Sequence, residues 1–263
     1  MRWTLTLILV SCFAVGIMAQ EAVDTTEVDE TALQVAALLD EAEALHDAKD
    51  YDATMNKLIE AKKLAPDNDE ILWKISRGYF DFADRKPNDL EYQKEFVYPG
   101  LEYAKKALDR NPNSAGGHKW YSIHIGRIGE IEGTKQKILN SYEVKEHTMA
   151  AIELEPEEAA NYHVMGRWHF ALSELSWFER QVAGMIYATP PEASFEEALE
   201  FFKKANQLDP DDIRNMLYAG HCYVELDDEE NAKLWYNKAI NAKATSDSDR
   251  GLQQEAKDAL ADL

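Results

Sequence analysis

Residues 101–112 read LEYAKKALDRNP, and three other segments end in the same way: NKLIEAKKLAP at 56–66, KEHTMAAIELEP at 145–156 and LEFFKKANQLDP at 199–210. Each sets an alanine five residues before a proline: Ala61 and Pro66, Ala107 and Pro112, Ala151 and Pro156, Ala205 and Pro210. A fifth segment, AKLWYNKAINAKA at 232–244, keeps the alanine as Ala239 and has Ala244 where the proline would fall. Seven residues before these alanines stand Thr54, Gly100, Val144, Ala198 and Ala232, all compact or β-branched. Small residues seven apart share one face of a helix, so each segment predicts a helix with a narrow side for close approach. The proline ends it, because its ring and its missing N–H cannot continue the hydrogen-bond ladder.

Outward from these segments a second pattern repeats. Six, nine, ten and thirteen residues past the prolines come Leu72, Ile75, Ser76 and Tyr79; His118, Tyr121, Ser122 and Ile125; Tyr162, Met165, Gly166 and His169; Met216, Ala219, Gly220 and Tyr223. Ahead of the first proline the same register holds Leu38, Glu41, Ala42 and Leu45. A large residue, a small one four on and a large one three beyond make a stripe with a notch for a crossing helix. The arrangement resembles the tetratricopeptide repeat, which implies two antiparallel helices per unit, small residues where they cross and proline after the second. The expected fold is all-α: a tetratricopeptide-like superhelical solenoid of about five helix pairs over 33–244, closed by a C-terminal capping helix within 245–263 that starts at Ser248 as N-cap.

The spacing between paired small residues is uneven. It is 12 residues in the first and fifth units (42 to 54, 220 to 232) but 24, 22 and 32 in the middle three (76 to 100, 122 to 144, 166 to 198). The middle units therefore carry long inserts, expected to project from one edge of the array. The longest includes GRWHFALSELSWFERQVAGMIYATPP at 166–191. Arg167, Glu174, Glu179 and Arg180 interrupt it too often for a membrane span, and Trp168, Leu172, Leu175, Phe178 and Val182 recur at helical spacing. It predicts one long amphipathic helix ended by Pro190 and Pro191, with a new helix capped by Ser194 and its reciprocal partner Glu197.

The N-terminus, MRWTLTLILVSCFAVGIMAQ, has the layout of a cleaved secretory signal peptide over 1–19, followed by an acidic flexible segment at 20–32. LVSC at 9–12 offers a second possibility, a lipid anchor through Cys12. Export is the expectation, to the periplasm of a bacterium or as a secreted protein. Beyond the leader the only cysteine is Cys222, so no internal disulfide can form. With 49 acidic and 28 basic residues the net charge is −21, which disfavours nucleic acid and anionic bilayers as partners.

No HExxH, CxxC or GxSxG occurs, and His118 and His124, like His163 and His169, stand six apart, on different helix faces rather than at the spacing of a zinc pair. GRIGEIEGTK at 126–135 has glycines and a lysine but not the order of a phosphate loop. Neither an enzyme nor a cofactor is expected. Binding is, on the concave side that first helices line in such arrays: Glu43 and His46; Trp73, Arg77 and Phe80; Lys119 and Ile123; His163, Arg167 and Phe170; Arg214, Leu217 and His221. Cations interleaved with aromatics suit a carboxylate, a phosphate or an acidic peptide. The competing reading pairs these arginines with acids such as Glu70 and Glu174 and makes them ties between repeats.

HKWYSI (118–123), EGTKQKILNSYEVKEHTMAAIELEP (132–156), HVMGRWHFALSELSWFERQVA (163–183) and PPEASFEEALEFFKKA (190–205) are similar to the regulator of microtubule dynamics family, over residues 70–240. The resemblance includes the unusual inserts. It implies the repeat fold, association with microtubules or with mitochondrial and endoplasmic reticulum membranes, and phospholipid as an alternative ligand to an acidic peptide. An export leader conflicts with a cytosolic microtubule role. The function expected is a non-catalytic binding or scaffold protein, with lipid or amphiphile carriage as the rival.

Overall fold

The computed structural model describes residues 25–263, with side chains from Glu30 onward. The described residues form twelve helices and no strand: α1 (Thr25–Asp47), α2 (Tyr51–Leu64), α3 (Asp69–Ala83), α4 (Leu90–Arg110), α5 (Ala115–Glu132), α6 (Thr134–Leu154), α7 (Ala159–Ser173), α8 (Trp177–Ile186), α9 (Phe195–Leu208), α10 (Ile213–Glu225), α11 (Glu229–Asn241) and α12 (Asp247–Ala261). The leader and the Cys12 anchor lie outside the described residues. Helix α1 starts inside the acidic segment at 20–32.

The pairs are α1 with α2, α3 with α4, α5 with α6, α7 with α9 and α10 with α11, and α12 closes the array on α10 and α11. Each second helix also touches the next first helix, and first helices α3, α5, α7 and α10 touch in succession, which is the nearest-neighbour stacking of a solenoid. The repeated alanines are where helices meet: Ala61, Ala107, Ala151, Ala205 and Ala239 are fully buried. Helices α2, α4, α6 and α9 stop two residues before Pro66, Pro112, Pro156 and Pro210. Asn68, Ser114 and Asp212 then cap α3, α5 and α10 by accepting from Ile71, Gly117 and Arg214 N–H.

The inserts are spent differently from the expectation. In the second and third units they become extra turns: α4 and α6 run 21 residues each, against 14 for α2. Gly133, at φ +92° in the left-handed region, makes the turn between α5 and α6. In the fourth unit the chain breaks after Ser173 and restarts as α8, so the single long helix expected over the 166–191 stretch is two helices. The break is chemical. The Ser176 hydroxyl accepts from Glu179 N–H (3.2 Å) and the Glu179 carboxylate accepts from Ser176 N–H (2.9 Å), a capping box that starts a new helix inside the apolar run. Ser194 caps α9 as expected, accepting from Glu197 N–H at 3.1 Å. The last helix starts one turn-fragment earlier than expected: Ser246, not Ser248, is its N-cap, because its hydroxyl reaches Asp249 N–H (3.0 Å) while Asp249 accepts from Thr245.

Buried polar groups lock crossing helices. His124 of α5 is fully buried and donates from Nε2 to Ser76 O of α3 (2.9 Å), while Ser76 Oγ donates to Gly100 O of α4 (2.8 Å). A Cβ on Gly100 would sit 2.2 Å from His124 Cε1, so only glycine admits the ring. Asn140 and Trp168 likewise donate to Ile125 O (2.8 Å) and Ser141 O (2.7 Å). Cys222 is buried, and desolvation pushes its thiol up to about 12, which keeps it protonated and unreactive.

Candidate interaction groove

The first-helix face is built by α1, α3, α5, α7 and α10. Arg77 of α3 bonds Glu43 of α1 through both terminal nitrogens, at 2.8 and 2.9 Å, and Lys74 joins the same carboxylate. The Arg77 hydrogen bond, followed by Lys74, outweighs partial burial and holds the Glu43 carboxyl down at about 2. One repeat on, Arg127 of α5 approaches Asp84, the C-cap of α3 (3.9 Å), and Glu130 (3.4 Å), with its guanidinium 5.6 Å from the Phe80 ring. Arg167 of α7 then reaches Glu130 of α5 (3.4 Å), and its guanidinium lies 4.3 Å from the Tyr218 ring of α10. At the N-terminal end His46 faces Asp81 at 3.2 Å. The cations thus run in steps from helix to helix, each against an acid of an adjoining turn or repeat.

Aromatic rings fill the spaces between. Phe80 packs on Trp120 (5.6 Å between centroids), and Phe170 on Tyr218 (5.7 Å) and His221 (6.3 Å). Trp73 covers Gly116 of α5, where a Cβ would lie 2.5 Å from its ring.

Of the residues expected on this face, Trp73, Arg77 and Phe80 lie on α3 and Arg167 and Phe170 on α7, with Ile123 half-buried on α5, which packs against both helices. Lys119 is turned to Glu158 ahead of α7 (3.5 Å). Four depart from the expectation. Leu217 is fully buried among Ile213, Ala219 and Tyr236, so it is core rather than lining. His163 is buried and bonded to Asn215 (2.7 Å); it is a link between α7 and α10, its imidazole pushed down to about 3 by desolvation. Arg214 folds back on Asp212, the N-cap of its own helix (2.7 Å). His221 bonds the Tyr236 hydroxyl (2.8 Å), a residue of the second helix of its own pair.

Lys74, Trp120, Arg127 and Tyr218 belong to the face and were not anticipated. Arg127 and Tyr218 lie four residues beyond Ile123 and Arg214, one turn on, so extending the face by i+4 would have found both. Three buried donors along the face, Arg77 Nε, Trp120 Nε1 and Arg167 Nε, have no acceptor among the described residues.

Among the described residues no helix is long and apolar enough to cross a membrane. Solved structures share the fold. A thermophilic tetratricopeptide protein of Thermus thermophilus superposes with a TM-score of 0.62 at 19% identity, over 86% of this chain and 99% of that one. Yeast Tom70 superposes with a TM-score of 0.53 at 12% identity, over 90% of this chain and 41% of that one. Among sequences, regulator of microtubule dynamics protein 1 of Bos taurus is 37% identical over 224 residues, 85% of this chain and 70% of that protein. The protein 3 of Rattus norvegicus is 31% identical over 84% of this chain, which spans only 47% of that relative's length. These relatives are animal proteins, and animal cells have no periplasm, so the bacterial, periplasmic placement expected from residues 1–19 is overturned, and with it the export that rested on the same stretch. The family model for regulator of microtubule dynamics proteins 1 to 3 matches residues 38–263, and the chain belongs to that family.

Proposed function

We propose that this chain is a non-catalytic scaffold whose first-helix face holds an acidic, acceptor-rich segment of a partner protein. The observation that carries the reading is Arg167. Its guanidinium lies over Tyr218, its side chain is 39% exposed, and its one carboxylate contact among the described residues is Glu130 at 3.4 Å. A half-exposed cation on an aromatic floor, held by one long contact, can turn its outer guanidinium nitrogens to a partner's carboxylate. Arg77 is less available, because Glu43 already occupies its fork. The relatives' names place them in the regulation of microtubule dynamics. For this chain such a role would run through a held partner segment, since a net charge of −21 opposes bulk attraction to any acidic polymer.

The test is fluorescence anisotropy with a labelled Glu-rich decapeptide carrying one tyrosine. Wild type should bind it, and Arg167→Ala should weaken binding at least about tenfold, or about 1.4 kcal/mol, at unchanged melting temperature. An absence of binding, or indifference to Arg167→Ala, sinks the reading.

Lipid or amphiphile carriage, implied by the family resemblance, draws no support from the 166–191 stretch. Trp177, Met185 and Ile186 face solvent instead of enclosing a cavity. A phospholipid carried through purification and seen by native mass spectrometry would reinstate it.

A further inference from the structure

Helix α8 is built inside out. It buries only Ala183. Arg180, on the inward side, donates to Leu172 O (2.6 Å) and Pro191 O (3.2 Å), which ties the helix down at both ends. The opposite arc carries Trp177, Phe178, Met185 and Ile186, exposed to 75%, 68%, 78% and 71%. The capping box at Ser176 fixes its start, and Tyr142 of α6 donates to Thr189 O just beyond its end. A rigid, apolar helix face of this kind marks an interaction site.

The side-chain spacing says what shape covers it. Phe178, Val182 and Met185 stand four and then three residues apart, the seam along which one helix packs on another. Charge selects among occupants. A second copy would bring −21 against −21, and an anionic bilayer meets the same field. Helices that lie in a membrane surface carry Lys and Arg on their polar side, whereas the one basic residue of α8 is spent on backbone carbonyls. Locally the rim holds both signs, Glu174 and Glu179 with Lys137 of α6 near them: burial pushes the Glu174 carboxyl up against the pull of Lys137, while hydrogen bonds with Ser176, helped by Lys137, hold that of Glu179 down. The deciding charge is therefore the molecule's own. We infer that the outward face of α8 docks an amphipathic helix of a partner protein, its apolar stripe edged with Lys and Arg. The site is separate from the first-helix groove and does not depend on the reading given to it.

The test uses the full chain and labelled 18-residue model helices, one with a leucine face and a lysine face, the other with glutamate replacing lysine. Wild type should bind the leucine–lysine helix and ignore the leucine–glutamate one. Trp177→Ser with Met185→Ser should weaken binding at least tenfold, and Leu234→Ser, exposed on α11, should leave it unchanged. If the paired serines lower the melting temperature, Ile186→Lys alone replaces them and should weaken binding by the same order. Binding that the α8 variants leave intact would show mere attraction to an acidic protein and overturns the inference. So does sedimentation of wild type as a dimer that Trp177→Ser with Met185→Ser dissolves, or wild-type binding to phosphatidylcholine vesicles that the same change abolishes.

Discussion

Arg77 shows how a side chain that reads as a binding cation becomes a tie. Its fork is closed on Glu43, and the carboxyl's depressed pKa records the attachment. Because that pKa falls from 4.5 to about 2 on folding, the contribution is fully present above pH 4.5 and is lost as pH drops through 2. Arg77→Glu would set two carboxylates face to face, and thermal unfolding should show a loss of about 1 to 3 kcal/mol. An unchanged melting temperature would return Arg77 to the free cations of the groove. Ala205→Leu, at a fully buried contact, should cost a similar 1 to 3 kcal/mol, by overpacking. Gly100→Ala is the sharper test of packing, since the new methyl would displace His124 and open two buried hydrogen bonds; a loss on the order of 3 kcal/mol is expected.

At the scale of elements, an insert that lengthens a helix and an insert that starts a new one look alike in apolar periodicity. In α4 and α6 the added residues continue the ladder of the helix they join. Between α7 and α9 the Ser176 and Glu179 pair supplies both partners of a capping box, so restarting there satisfies two of the donors a new helix start would otherwise leave unpaired. That S-x-x-E signal was legible in the sequence. It went unread because Trp168, Leu172, Leu175, Phe178 and Val182 keep helical spacing across the break. Ser176→Ala should cost α8 about 1 kcal/mol. Hydrogen exchange should quicken within 177–186 while the global melting temperature stays within a degree or so, because α8 buries only Ala183. A matching fall in global stability would mean that α8 belongs to the cooperative core.

For the whole molecule, buried histidines set the acid limb of stability. Desolvation pushes His124 down to about 4 and His163 to about 3, from 6.5. Between those values and 6.5 the unfolded chain binds protons that the folded one refuses, so stability rises with pH through this window and falls on acidification. His124, wholly enclosed, should account for a loss on the order of 3 kcal/mol between pH 6.5 and 4. Melting temperature followed from pH 7.5 to 4.5 should decline, and His124→Gln should flatten the decline even if it lowers the plateau. A slope the same in both proteins would assign the acid sensitivity elsewhere.

What the sequence determined by itself was the repeat: alanines seven residues past compact positions, prolines at fixed distance and notched stripes between them are local regularities, and local regularities dictate helix ends and contact faces. The tertiary structure alone decided which groove residues are free. Glu43 lies 34 residues from Arg77, Glu130 37 from Arg167 and Asn215 52 from His163, each contributed by a neighbouring unit. Repeats of unequal length bring such partners together at separations no periodicity announces, so a cation's availability is a property of the stacked array and not of the helix that carries it.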